Sequence, residues 1–278
     1  MIRTAGDIWY RPGSSESGSL MNRNKGENIV NLFENKEKKR RVIDIHCHIL
    51  PGIDDGSDSW ETSMEMMRIA WADGITDMIA TPHFKAGHHN ASPSKVRELA
   101  AELQTRINAE GIDINIYTGN EIMYFSEAAD MLDAGDILTM CDGNYVLVEF
   151  LPGDNFMRIS SGIDDLRYMG FEPILAHVER YECMLRDIKN VQELARRDIN
   201  MQVNAASLTG ALGGKVKKSV IKMVDEGYID FIGTDAHDTG KRSPRMSKCI
   251  KMLNRRYVSE DVKDMLYLNA LDIIEDYK

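Results

Sequence analysis

From Val42 onward, short apolar runs alternate with longer amphipathic ones. The short runs predict strands at residues 42–49, 76–81, 112–118, 145–150, 172–176, 200–204 and 228–234. Several are almost continuously apolar, as parallel strands covered on both faces should be. Between them the pattern predicts helices. Asp58-Ser-Trp-Glu61 is a capping-box-like start to a helix running to Asp73, which Gly74 stops. Ser92-Pro93 opens another helix with proline in its first turn, and Gly111 closes it. Further helices fit residues 127–134, 162–169, 188–197, 215–226 and 261–276. Seven βα units of this kind imply an α/β fold with a parallel sheet. The sheet either closes into a seven-stranded barrel or stays open and doubly wound.

Polar residues at the strand ends weigh on that choice. His46 and His48 lie two apart in the first strand, so both imidazoles point to one face. His83, Glu121, Glu149, His177, Asp235 and His237 each follow a later apolar run. In a barrel these ends converge on one face, where active sites are built; in an open sheet they spread along an edge. Any one of these residues alone reads as a surface or hydrogen-bonding group. Eight at successive strand ends read as a metal cluster. Imidazole and carboxylate ligands without thiolates suit Mn, Fe or Zn, and closely spaced cations favour hydrolysis of a phosphate ester. Cys47, between the two histidines, faces the opposite way and reads as core. His88 and His89 fall in a polar loop and read as solvated.

Composition narrows the classes. The chain has 278 residues, ordinary for an α/β barrel, and a formal net charge of −10. That charge argues against a nucleic-acid-coating protein. Residues 1–41 differ: they hold nine Lys/Arg against five Asp/Glu, including the run Lys36-Glu-Lys-Lys-Arg-Arg41. They read as an extension with a short helix near residues 29–33, leaving 42–278 as the metal-binding domain. The four cysteines, Cys47, Cys141, Cys183 and Cys249, form no CxxC pair, which suits reduced thiols in the cytoplasm. No run of about 18 apolar residues predicts a membrane span, and the N-terminus lacks a signal-peptide pattern.

Two rival motifs fail. Cys249-Ile-Lys-Met-Leu-Asn-Arg255 has the C-x5-R spacing of a cysteine phosphatase but lacks glycine and falls in a helical pattern. Thr209-Gly-Ala-Leu-Gly-Gly-Lys215 lacks both the first glycine and the final Ser/Thr of a P-loop.

The run Asp44-Ile-His-Cys-His-Ile-Leu-Pro-Gly-Ile-Asp-Asp-Gly56 resembles the polymerase and histidinol phosphatase (PHP) superfamily. Within it, the run resembles bacterial manganese-dependent tyrosine phosphatases of the CpsB/YwqE type. Ile79-Ala-Thr-Pro-His83, Gly119-Asn-Glu121, Leu147-Val-Glu149, Ala176-His-Val-Glu-Arg180, Ala206-Ser-Leu-Thr-Gly210 and Thr234-Asp-Ala-His237 extend the likeness across residues 42–278. The resemblance implies a distorted (β/α)7 barrel of the PHP type holding three metal ions. His46, His48, Glu121 and Asp235 are implied for one ion. Glu121 as a bridge, with Glu149 and His177, is implied for a second. Asp55, His83 and His237 are implied for the third, with Asp54 as an alternative to Asp55. Arg180 matches the phosphate-holding arginine, with the alternative of a surface pair to Glu179 or Glu182. Val178 departs from the family's usual proline. The implied activity is hydrolysis of phosphotyrosine through a metal-bound hydroxide. The implied partner is the tail of a bacterial tyrosine kinase controlling capsule or exopolysaccharide synthesis. A small-molecule phosphatase such as histidinol phosphatase and a non-catalytic metal-binding regulatory module are the alternatives.

Overall fold

A computed structural model describes residues 41–275. The helix expected near residues 29–33 and the basic run up to Arg40 lie outside the described residues. The chain opens with β1 (Ile43–Cys47) and α1 (Trp60–Asp73). Ser59 caps α1 by accepting from Thr62 N, and Gly74 ends it in the left-handed region at φ 95°. The strand expected at 76–81 forms as β2 (Asp77–Ala80); Pro82, which has no N–H to donate, separates it from a further short strand outside the expected range, β3 (His83–Phe84). After α2 (Pro93–Ala109) the same break recurs at Gly119 and Asn120, separating β4 (Asn115–Thr118) from β5 (Glu121–Met123).

Then follow α3 (Ala128–Asp133), β6 (Tyr145–Glu149), α4 (Phe156–Tyr168), β7 (Glu172–Leu175), α5 (Glu182–Arg186) and α6 (Ile188–Arg196). The chain continues through β8 (Asn200–Asn204), α7 (Ala205–Thr209), α8 (Gly214–Asp225) and β9 (Phe231–Gly233). It ends in α9 (Ser247–Arg256), α10 (Ser259–Lys263), a π-helical turn (Asp264–Leu268) and α11 (Asn269–Glu275). Two expected helices start in other places. The one read from Gly162 begins at Phe156, because Asn155 caps it by accepting from Arg158 N. Gly162 is mid-helix for a packing reason: a Cβ there would lie 2.8 Å from the Tyr124 ring and 2.9 Å from the Phe150 ring. The C-terminal helix read from Asp261 begins at Ser259 and is interrupted by the π turn.

All strand pairs are parallel, in the orders β1-β2-β4 and β3-β5-β6-β7-β8-β9. The sheet curls into a half-barrel whose first and last strands meet at their C-terminal ends. There Asp235 N donates to His46 O and His48 N to Ala236 O, both at 2.8 Å. Successive residues face opposite layers. Ile43, Ile45, Ile79, Leu147, Ile174 and Phe231 fill the inside of the curl, closed from below by Ala270, Ile273 and Ile274 of α11. Met78, Val146, Val148, Leu175 and Val203 face the helices. Each fully buried aliphatic side chain of this kind is worth about 1.5–3 kcal/mol.

One buried carboxylate ties the curl together. Asp44 is fully buried; its Oδ1 accepts from Thr234 N (2.8 Å) and His46 N (3.3 Å), and Oδ2 accepts from the Thr234 hydroxyl. Burial pushes its pKa up to about 6 against the opposing pull of the Thr234 hydrogen bonds. Asp44→Ala leaves two backbone donors unpaired and should lower stability by roughly 2–4 kcal/mol. Asp44→Asn keeps an acceptor for them and should cost less. Denaturant unfolding checks the order, and equal losses in the two variants refute the clamp.

Candidate metal centre

The strand ends deliver eight of the nine expected metal-site side chains to one buried cluster at the C-terminal mouth of the curl. His46, His48, Glu121, Glu149, His177, Asp235 and His237 are buried, and His83 is nearly so. Asp55 stands at the rim, 61 % exposed, with Oδ1 3.3 Å from His83 Nε2 and 3.5 Å from His237 Nε2.

Glu121 is at the centre. Its Oε1 lies 2.8 Å from His177 Nε2 and 3.2 Å from His46 Nε2; its Oε2 lies 3.1 Å from His48 Nε2 and 3.1 Å from His83 Nδ1. Glu149 reaches His83 Nδ1 at 3.2 Å and His177 Nε2 at 3.5 Å. Three overlapping groups could each hold a cation: His46, His48, Glu121 and Asp235; His83, Glu121 and Glu149; and His48, Asp55, His83 and His237. His83 therefore joins two groups, while His177 meets the cluster through Glu121 and Glu149.

The surrounding hydrogen bonds aim these rings. Asp54 and Asp55, adjacent in sequence, separate in role. Asp54 turns inward, with Oδ2 2.7 Å from His48 Nδ1 and accepting from His83 N at 3.1 Å. Its Oδ1 accepts from Gly56 N at 2.9 Å. The turn needs glycine at 56, since a Cβ would lie 2.3 Å from His48 O. Gln202 Oε1 accepts from His177 N at 2.7 Å, which fixes its amide so that His46 Nδ1, at 3.2 Å, must donate. With both δ nitrogens committed, the ε nitrogens of His46 and His48 face each other at 3.3 Å between Glu121 and Asp235. A proton or a cation belongs between such lone pairs.

The charges reflect this crowding. Burial works against a charged His48 and His177. The adjacent Asp54 and Glu121 carboxylates at His48, and Glu121 and Glu149 at His177, outweigh it and raise each ring to about 10. Burial and the neighbouring His48 lower His237 to about 4. Asp235 falls to about 2 despite its burial, held down by His46 and His177. His83 Nδ1, Glu121 Oε2, Glu149 Oε1, His177 Nδ1 and His237 Nε2 are buried without a hydrogen bond of proper geometry. Buried nitrogen and oxygen atoms left without a hydrogen bond in one cluster suit a cation.

Two residues of the cluster sit in the left-handed region, His177 at φ 33° and Asp235 at φ 52°. Such backbone costs of order 1–3 kcal/mol per residue. Arg180 N donating to His177 O (2.8 Å) and Asp235 N donating to His46 O (2.8 Å) hold these residues in place.

At the mouth, Arg180 Nη1 lies 3.2 Å from Asp235 Oδ2. The alternative pairs are not made: Glu179 is buried and accepts from Asn204 N, and Glu182 pairs with Arg186. Arg242 joins it, with Nη2 2.7 Å from Asp235 Oδ1. Sequence reading missed Arg242 because Lys241-Arg242 in a polar loop looks solvated. It also missed Gln202 and Asn204, although polar residues at every second position of a buried strand were the available signal. Asn204 accepts from Gln202 Nε2 and donates to Asp235 Oδ2, each at 2.9 Å. His88 and His89 are exposed, and Cys47 is buried on the helix-facing side. Cys249 and Arg255 both lie within α9, and burial pushes the thiol up to about 12, so no cysteine-phosphatase loop exists there.

Gln202→Leu should lower affinity for divalent cations by about 10- to 100-fold, as loss of a ligand's outer hydrogen-bond partner typically does. Calorimetric titration with Mn checks it. Unchanged affinity refutes the orienting role.

Known proteins resemble this chain. Residues 42–275 match the family described as capsular polysaccharide synthesis, CpsB/CapC. The tyrosine-protein phosphatase YwqE of Bacillus subtilis (strain 168) is 33 % identical over 220 residues, 79 % of this chain and 86 % of that protein. The tyrosine-protein phosphatase CpsB of Streptococcus pneumoniae is 27 % identical over 240 residues, 84 % of this chain and 99 % of that protein. A crystal structure from work on YwqE of Bacillus subtilis and CpsB of Streptococcus pneumoniae, called unique metal-dependent tyrosine phosphatases, superposes with a TM-score of 0.79. It is 31 % identical and covers 85 % of this chain and 95 % of that one. The chain belongs to the CpsB/CapC family.

Proposed function

We propose that this protein is a metal-dependent protein-tyrosine phosphatase acting on phosphotyrosine in a bacterial tyrosine kinase of capsule or exopolysaccharide synthesis. The observation that carries the reading is the set of buried donor atoms without hydrogen bonds around Glu121. Family membership supports the substrate class. The small-molecule phosphatase and the non-catalytic module are not favoured, since the relatives matched are named tyrosine-protein phosphatases.

With β2/β3 and β4/β5 counted as interrupted strands, the curl reads as a distorted (β/α)7 barrel spanning residues 42–278, with 1–41 as an extension. Three ions, most simply Mn, fit the three overlapping groups. His46, His48, Glu121 and Asp235 would hold one ion. Glu121, Glu149 and His177, with His83, would hold the second. Asp55, His83 and His237, with His48, would hold the third. Four unpaired cysteines suit a cytoplasmic setting. Among the described residues, no helix is long and apolar enough to cross a membrane.

Cations held in these groups supply Lewis acidity and a nucleophile at neutral pH. The chain's own residues do the rest. Glu121 and Asp235 set the negative charge that keeps the cations in place. Arg180 and Arg242 present guanidinium forks at the mouth, 39 % and 41 % exposed, where they bind the phosphoryl oxygens and stabilise charge developing on them. The tyrosine oxygen leaves readily, its pKa being about 10, so no buried acid is required.

Metal-stripped protein restored ion by ion, assayed side by side on a phosphotyrosine peptide and histidinol phosphate, tests the reading. Chelation should abolish hydrolysis while Cys249→Ser leaves it nearly intact. Chelator-resistant turnover overturns the mechanism. Arg180→Ala and Arg242→Ala should each lower kcat by roughly 10- to 150-fold, the worth of one charge-assisted contact, with metal content unchanged by elemental analysis. Parental kinetics in both variants would refute the phosphoryl-binding role of the two arginines.

A further inference from the structure

Arg242 stands on a stretch, residues 238–246, that forms neither helix nor strand. A guanidinium on such a stretch is only as well placed as the backbone beneath it. The far end is fixed from α1. Asp73 Oδ2 accepts from Met246 N and Ser247 N, both at 2.6 Å, and its Oδ1 accepts from the Ser247 hydroxyl at 2.8 Å. The near end starts from His237, inside the cluster.

Asp238 closes the turn between His237 and Arg242. Its Oδ1 accepts from Gly240 N at 2.7 Å and from Arg242 N at 2.9 Å. Across the same turn, His237 N donates to Arg242 O at 2.8 Å, and Asp238 N donates to that oxygen at 3.3 Å. Short acidic side chains commonly bond their own turn in this way. Both backbone polar groups of Arg242 are thereby held, the N–H by the Asp238 side chain and the carbonyl by His237 and Asp238. From that position its Nη2 lies 2.7 Å from Asp235 Oδ1. Gly240 and Arg242 are exposed, so water can satisfy their N–H groups if the carboxylate is lost. The bonds therefore add little to stability. What they decide is where Arg242 stands.

We infer that Asp238 is a positioning residue for phosphate binding: its carboxylate closes the turn that aims Arg242 at the phosphoryl group. The inference rests on the phosphatase reading and on the part Arg242 has in it. Asp238 cannot itself favour the anion, since like charges repel. Removing it therefore has two effects of opposite sign. Loss of the charge strengthens anion binding, and loss of the turn weakens it. Asparagine separates the two, because it drops the charge but keeps a carbonyl oxygen that can accept from both N–H groups.

The test is calorimetric titration of the Mn-loaded full chain with inorganic phosphate, in the parent, Asp238→Ala, Asp238→Asn, Arg242→Ala and the double variant Asp238→Ala/Arg242→Ala. Asp238→Ala should weaken phosphate binding roughly five- to tenfold, the worth of one or two hydrogen bonds, with Mn content unchanged. Asp238→Asn should bind within about twofold of the parent. On the Arg242→Ala background, Asp238→Ala should have no further effect, since the two residues act as one unit. Parental or tighter binding in Asp238→Ala, weakening of Asp238→Asn to the same degree, or equal weakening on both backgrounds overturns the inference. Loss of Mn or of the native fold in Asp238→Ala does so too. All of these leave the phosphatase reading standing. Failure of the loaded parent to bind phosphate at all sinks that reading, and the inference with it.

Discussion

A single buried carboxylate sets the terms for the rest of the molecule. Glu121 is 1 % exposed and stands within 3.2 Å of four imidazoles. Burial pushes its pKa up, but His46, His177 and His48 outweigh it and hold it well below the usual carboxylate range. An ionised carboxylate in such a place is tolerable only when surrounded by countercharge. β1 must therefore bring His46 and His48, β3 His83, and the end of β7 His177. The break at Pro82 and its counterpart at Gly119 and Asn120 let β3 and β5 lie side by side. Their register sets His83 directly opposite Glu121.

Around that centre, polar side chains from the strands act on the cluster through hydrogen bonds rather than directly. Asp44 joins β1 to the end of β9, Asp54 aims His48, and Gln202 aims His46 while holding the backbone at His177. Asn204 carries the chain of contacts on to Asp235. A partly satisfied network of this kind in a low-dielectric interior is worse than an apolar core. The cluster and its supports therefore stand or fall together, and β8 contributes to the site without supplying a residue to the three groups that could hold a cation.

Much of this was legible in the sequence because strand and site share one periodicity. Alternation in β1 put His46 and His48 on one face and Cys47 on the other, and every later run except 200–204 led into a charged or imidazole side chain. What escaped was whatever depends on contacts between distant segments. Gly162 looked like a helix start because its role, making room for Tyr124 and Phe150, is set by strands far away in sequence. Arg242 drew no reading because nothing local reveals Asp235 2.7 Å away. Asp54 and Asp55 could not be told apart by spacing; only the turn closed at Gly56 separates them.

The two left-handed residues in the cluster carry an evolutionary consequence. Glycine fits the backbone at His177 and Asp235 better than the residues present. Its introduction there would also remove a buried charged group from a crowded site. Selection for stability alone therefore pushes both positions toward sequences that cannot bind cations. A copy released from its duty should lose these two residues early and fold at least as well afterwards. A glycine at either position in a relative would thus mark a site out of use, in a way that no change in the aliphatic core beneath them, kept for packing in either case, could.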